Sequence, residues 1–229
     1  MDLLISIMLL LIVSIAVVIS GMKKVPGIGI FVSVAVIAFA VFLRKQDMAY
    51  LGFKPVESWL TTVGWSILLG VLIALLSSFL IEPFANRLTG ESHDFSIFDG
   101  MRGNIQSLIM YMLMAWVLAA FLEEIIFRGY LISEMTSVLG SGAFAIALSI
   151  LLGSVIFGFA HWYQGKSGVL STGVVGAILA VIFVVNDFNI WLPILTHGFI
   201  DTVGLGLIYF GLDIQIDEWV QKTFWKAGD

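Results

Sequence analysis

Six ionisable side chains interrupt stretches of this sequence that are otherwise apolar, at spacings that suit proton-transfer chemistry. Glu123 and Glu124 are adjacent, and Arg128 follows Glu124 by four residues. His161 follows Phe157 by four in a second apolar stretch, and Asp201 follows His197 by four in a third. Residues four apart share a helix face, so Glu124 can pair with Arg128, while Glu123, about 100° round the axis, need not. Two neighbouring carboxylates in a low-dielectric cavity resist joint ionisation. If Arg128 holds one as a fixed anion, the other can take and return a proton, which is the arrangement general acid–base catalysis uses. Asp201 is placed to hydrogen-bond His197 and set its tautomer.

The stretches that hold these residues read as membrane helices. The chain has 229 residues, 60% hydrophobic and 12% charged, against roughly 45–50% and about 25% in soluble domains. One soluble core could not hide that much apolar surface, so the expected class is an all-α, polytopic transmembrane bundle. Seven segments approach the roughly 20 residues that span hydrocarbon: 3–21, 27–43, 60–81, 106–133, 143–163, 169–187 and 190–211. An eighth helix is left open. Asp2 precedes the first run and Lys23 and Lys24 follow it, the reverse of a secretory leader, so it reads as a retained span. A charge at the centre of a lipid-facing helix costs about 2.5–3.5 kcal/mol on insertion scales. Spans four, five and seven, which carry the charges, must therefore turn them toward a shared wet cavity.

The rest of the chain is one integral membrane domain, 1–229, with no repeat and a catalytic core of about 106–211. The segment 82–104 reads as an amphipathic surface stretch or ordered loop, and the tail from Asp213, with Trp219 and Trp225, as interfacial. Net charge is −5 and no basic run exceeds two residues, which argues against nucleic acid as a partner. The absence of cysteine excludes a thiol nucleophile, a disulfide framework and a cysteine zinc site. Basic residues in alternating loops favour an outside N-terminus by seven to four, counting Arg128 with the minority.

The three clusters resemble, in order, the signature of the CAAX protease and bacteriocin-processing family, also called Abi or CPBP. The motifs are Glu123-Glu124-Ile125-Ile126-Phe127-Arg128, Phe157-Gly158-Phe159-Ala160-His161 and His197-Gly198-Phe199-Ile200-Asp201. Leu51-Gly52-Phe53 looks like a further family element. The resemblance implies a multi-pass membrane endopeptidase, in a prokaryotic plasma membrane, acting on a peptide or membrane-protein substrate whose prenylation is open. It implies that Glu123 activates water with help from His161. His197 and the residue at Asp201 would stabilise the oxyanion, and Glu124 and Arg128 would support the site. Eukaryotic-type members have asparagine where Asp201 stands. An ionised aspartate cannot donate to an oxyanion, so Asp201 could instead orient His197, act protonated or help hold a metal. Glu123, Glu124, His161 and His197 could form a zinc site with an open position, and a metal-free glutamate mechanism fits the same residues equally.

Other readings compete. The glutamates and Arg128 could be a structural ion pair, and the histidines interhelical hydrogen-bonding groups. A non-catalytic immunity or partner-binding protein would keep the same scaffold. An ion-coupled transporter would use the glutamates as a relay, though such folds often show repeats. His93 reads as a solvated loop residue, Gly173, Gly176, Gly204 and Gly206 as close-packing positions, and Trp162, Tyr163 and Trp191 as interface or cavity-wall aromatics.

Overall fold

The structure, a computed structural model, describes residues 3–224. Its regular elements are all helical among the described residues. Seven helices are long and apolar enough to cross a membrane: α1 (Leu3–Met22), α2 (Pro26–Arg44), α3 (Trp59–Thr89), α4 (Ile105–Leu139), α5 (Ala143–Ala160), α6 (Gly165–Val185) and α7 (Trp191–Tyr209). A 3₁₀ turn, Trp162–Gln164, leads into α6, and an eighth, short amphipathic helix, α8 (Leu212–Phe224), follows α7. The polytopic helical bundle expected from composition is what forms. Large apolar side chains such as Leu60, Phe42 and Phe144 point outward, as lipid-facing surface must. Trp219 of α8 is half-exposed against Phe79; Trp225 lies outside the described residues.

Two helices run beyond the spans drawn from the sequence. The third continues to Thr89 rather than ending at 81, so Glu82 is helical and not part of a loop. Pro83 does not stop it, because the π-turn at Ser77–Ile81 already displaces the carbonyl ladder where proline would clash. Gly90, at φ 72°, ends it. The fourth is a 35-residue helix with π-wound stretches at Ala115–Glu123 and Ile125–Ile132. That length puts Glu123 at mid-helix, level with His161 at the C-terminal end of α5.

The bundle is assembled by pairing α3 with α7, α5 with α6, and α1 with α2. Small residues set the approach beside His161. A Cβ on Gly21 would sit 2.1 Å from the Ala160 carbonyl oxygen, and one on Gly158 would sit 2.4 Å from that of Val169. Gly176 packs under the Phe157 ring in the same way. Gly204 and Gly206 do not: nothing lies within 4 Å of a Cβ at either, and Gly204 borders the cavity. The Leu51-Gly52-Phe53 element is a wedge. Gly52 takes φ 86° and accepts a hydrogen bond from Ile190 N at 2.9 Å, while the Leu51 carbonyl lies where a Cβ on Gly129 would be, linking α4 to the start of α7.

Candidate active site

Glu124 is the hub of the polar cluster. It is fully buried, and its Oε1 accepts from Arg128 Nη1 at 2.7 Å and from His197 Nδ1 at 2.8 Å. The four-residue spacing fixes the first bond; the second joins α4 to α7. Arg128, itself 1% exposed, donates from Nη2 to the Gly176 carbonyl at 2.8 Å and lies 4.7 Å over the Phe157 ring. One guanidinium thus ties α4 to α5 and α6. Trp116 donates to Thr202 Oγ1 at 3.2 Å, and its ring fills the space that a side chain at Gly198 would need. The α7 turn bearing His197 is held on both sides.

Glu123 has no such anchorage. It is 9% exposed, and its buried Oε2 has no hydrogen-bond partner among the described residues. His161 Nε2 lies 4.0 Å from that oxygen. The tautomer of His161 follows from its other nitrogen: Nδ1 lies 2.8 Å from the Phe157 carbonyl, which can only accept, so Nδ1 carries the hydrogen. Nε2 then presents a lone pair toward Glu123. His197 donates from Nδ1 to Glu124, so its Nε2 also turns inward. Asp201 Oδ2 is 3.7 Å from that Nε2, beyond hydrogen-bond reach. The bond that orients His197 therefore comes from Glu124 and not, as the spacing suggested, from Asp201.

These groups face one cavity of about 350 Å³, lined by Glu123, Phe157, His161, His197 and Asp201 with apolar side chains such as Met114 and Leu118. Helices α4, α5 and α7 supply the sequence-expected residues. The cavity also takes in α6, the end of α3, and the segment that follows it. His93 is there, half-buried rather than solvated. It stacks on Phe95 at 4.1 Å, its Nδ1 is 3.2 Å from Ser171 Oγ, and Nε2 has no partner among the described residues. Burial pulls this imidazole down to about 4. Glu82 and Tyr163 line the same space. Glu82 had a readable sign: Glu82, Asn86 and Thr89 continue a helical period across Pro83. A lone loop histidine carries no such pattern.

The four-ligand metal arrangement does not assemble. Glu124 Oε1 is engaged by Arg128 and His197, and no three His, Asp or Glu side chains are grouped as ligands among the described residues.

A multi-pass helical membrane protein with a buried cluster of two glutamates and two histidines beside a cavity is the class defined by this geometry. Residues 105–203, which hold all six sequence-derived candidates, match the family model described as type II CAAX prenyl endopeptidase Rce1-like. No curated protein matches the chain, and no solved structure does.

Proposed function

We propose that this protein is an intramembrane endopeptidase that cleaves a peptide bond with water activated by Glu123. The observation that carries the reading is the buried, unpartnered Glu123 Oε2 facing His161 Nε2 at 4.0 Å across the cavity. One water at roughly 2.8–3.0 Å from both atoms can donate a hydrogen to each. As its oxygen attacks the scissile carbonyl carbon, the proton directed at Glu123 passes to the carboxylate. The carbonyl π pair moves onto oxygen, and the oxyanion is met by His197, whose Nε2 donates when both ring nitrogens carry hydrogen. Glu123 then returns its proton to the amide nitrogen, the C–N bond breaks, and the products are a carboxylic acid and an amine.

Glu124 and Arg128 position His197 and the helices and do not touch the substrate. Asp201 faces the cavity beside His197 without bonding it. The segment of about 106–211 is the catalytic core of one membrane domain, and aspartate at 201 in place of asparagine favours a prokaryotic plasma membrane. The test uses the full chain in proteoliposomes with internally quenched apolar peptides. Glu123→Ala and His161→Ala should remain inserted and folded yet lose cleavage; full activity in both variants would sink the mechanism.

A further inference from the structure

Building on the endopeptidase reading, we infer that the cavity selects a peptide segment carrying a basic side chain near the scissile bond, with Glu82 as its specificity-determining residue. Three carboxylates from three helices line this space, Glu82 of α3, Glu123 of α4 and Asp201 of α7, and no lysine or arginine does among the described residues. The hydrolytic steps use Glu123 and leave Glu82 without a role. Glu82 is partly buried, and a carboxylate drawn out of water without a cation beside it is costly.

Glu82 has the surroundings of a group waiting for a cation. Its Oε1 accepts from Ser77 Oγ at 2.9 Å, and no lysine or arginine pairs with it among the described residues. The charged groups closest in influence, Asp213 and Asp217, are also acidic. The arginines nearby in the fold are committed: Arg128 to Glu124 and the Gly176 carbonyl, Arg102 to Asp213 through two bonds of 2.7 and 2.8 Å. The π-turn at Ser77–Ile81 places Ser77 and Glu82 on the same cavity wall.

Beside the carboxylates, Gln164, nine-tenths buried on the same lining, has an Oε1 with no hydrogen-bond partner among the described residues and able to accept from a cationic head. Glu123, nine-tenths buried on the cavity lining, has an Oε2 with no hydrogen-bond partner among the described residues. Ile97, Phe98, Met114 and Leu118 give the lining an apolar wall. An apolar segment fits that wall, and a lysine or arginine can lay its stem along it while the head reaches Glu82.

The experiment compares apolar peptides that differ only in Lys, Gln or Glu at one position, walked across the scissile bond, with the full chain in proteoliposomes. At one position the Lys peptide should exceed the Glu peptide in kcat/KM by about tenfold or more, as one desolvated charge pair supplies. Glu82→Gln, which keeps the size and the Ser77 contact, should bring the ratio toward unity, and Glu82→Lys should invert it. Binding of the same peptides to the Glu123→Gln protein, followed by fluorescence anisotropy, reads charge preference without turnover. Lys-selective binding with no cleavage of any peptide by the unmutated protein would remove the endopeptidase reading and leave the selectivity standing. Equal handling of Lys and Glu peptides, a preference indifferent to Glu82→Gln, or no peptide binding at all would overturn the inference.

Discussion

Glu123 and Glu124 are neighbours in the chain with opposite surroundings. Glu124 is locked by Arg128 and His197, so removing it leaves a buried guanidinium without its partner. Glu124→Ala should cost about 3–5 kcal/mol, read as a lower unfolding temperature in detergent. Glu123 is buried with an unsatisfied oxygen, a state that costs stability and is tolerated where chemistry needs it. Glu123→Gln should leave the unfolding temperature unchanged or raised while lowering turnover by at least about 100-fold, the lower end of what a general base contributes. A loss of both properties in both variants would show that the two carboxylates are not divided in this way. The Glu124–Arg128 pair was legible because helical spacing alone brings it together. The Glu124–His197 bond was not, since it joins residues 73 apart in the chain and depends on how α4 meets α7. Nearest-turn reasoning therefore gave His197 to Asp201.

Helix ends and close approaches decide whether those side chains meet. The seven spans were legible from apolar length, but the ends of α3 and α4 were not, because π-winding lets a helix pass Pro83 and accommodate buried charge. The glycines separate in the same way: composition marks them all, and only the partner helix tells which are pressed. Gly158→Ala should force α5 from α6 beside His161, costing about 1–3 kcal/mol as overpacking does, with activity falling alongside. Gly206→Ala, with nothing within 4 Å, should be neutral or stabilising by up to about 1 kcal/mol from helix propensity. Thermal unfolding of the pair checks the contrast. The segment after α3 adds a pH signature. His93 is held down at about 4 by burial, against roughly 6.5 in an unfolded chain. Below that higher value the unfolded state binds a proton that the folded state refuses. The contribution is thus present at pH 7 and lost as pH falls toward 4. Unfolding temperature should drop across that window, less steeply in His93→Gln; equal slopes would remove His93 as the source.

At the scale of the whole molecule, the cavity opens at one face. Its lining there includes the start of α2 (Pro26, Gly27), the segments after α3 (His93, Phe98) and after α5 (Tyr163, Gln164), and the end of α7. Sequence counting gave this side a narrow majority of basic residues. The fold keeps that majority at six to three among the described residues, because Arg128 is buried among helices and belongs to no loop. Lys23, Lys24, Arg87, Arg102, Lys166 and Lys222 then stand on the cavity side, against Arg44, Lys45 and Lys54 on the other. The positive-inside rule counts lysine and arginine near span ends whether or not acids accompany them, so it assigns the cavity mouth and α8 to the cytoplasm. On the endopeptidase reading, a substrate is then expected to reach Glu123 from the cytoplasmic side or laterally from the bilayer. The chain has no cysteine, so single-cysteine labelling needs no background removal. Asp99→Cys, exposed on the cavity side, should react with a membrane-impermeant maleimide only in inside-out vesicles. Gln46→Cys, exposed at the other end, should react in intact cells. The reversed pattern would put the mouth outside and require an extracytoplasmic substrate, leaving the hydrolytic geometry as it is.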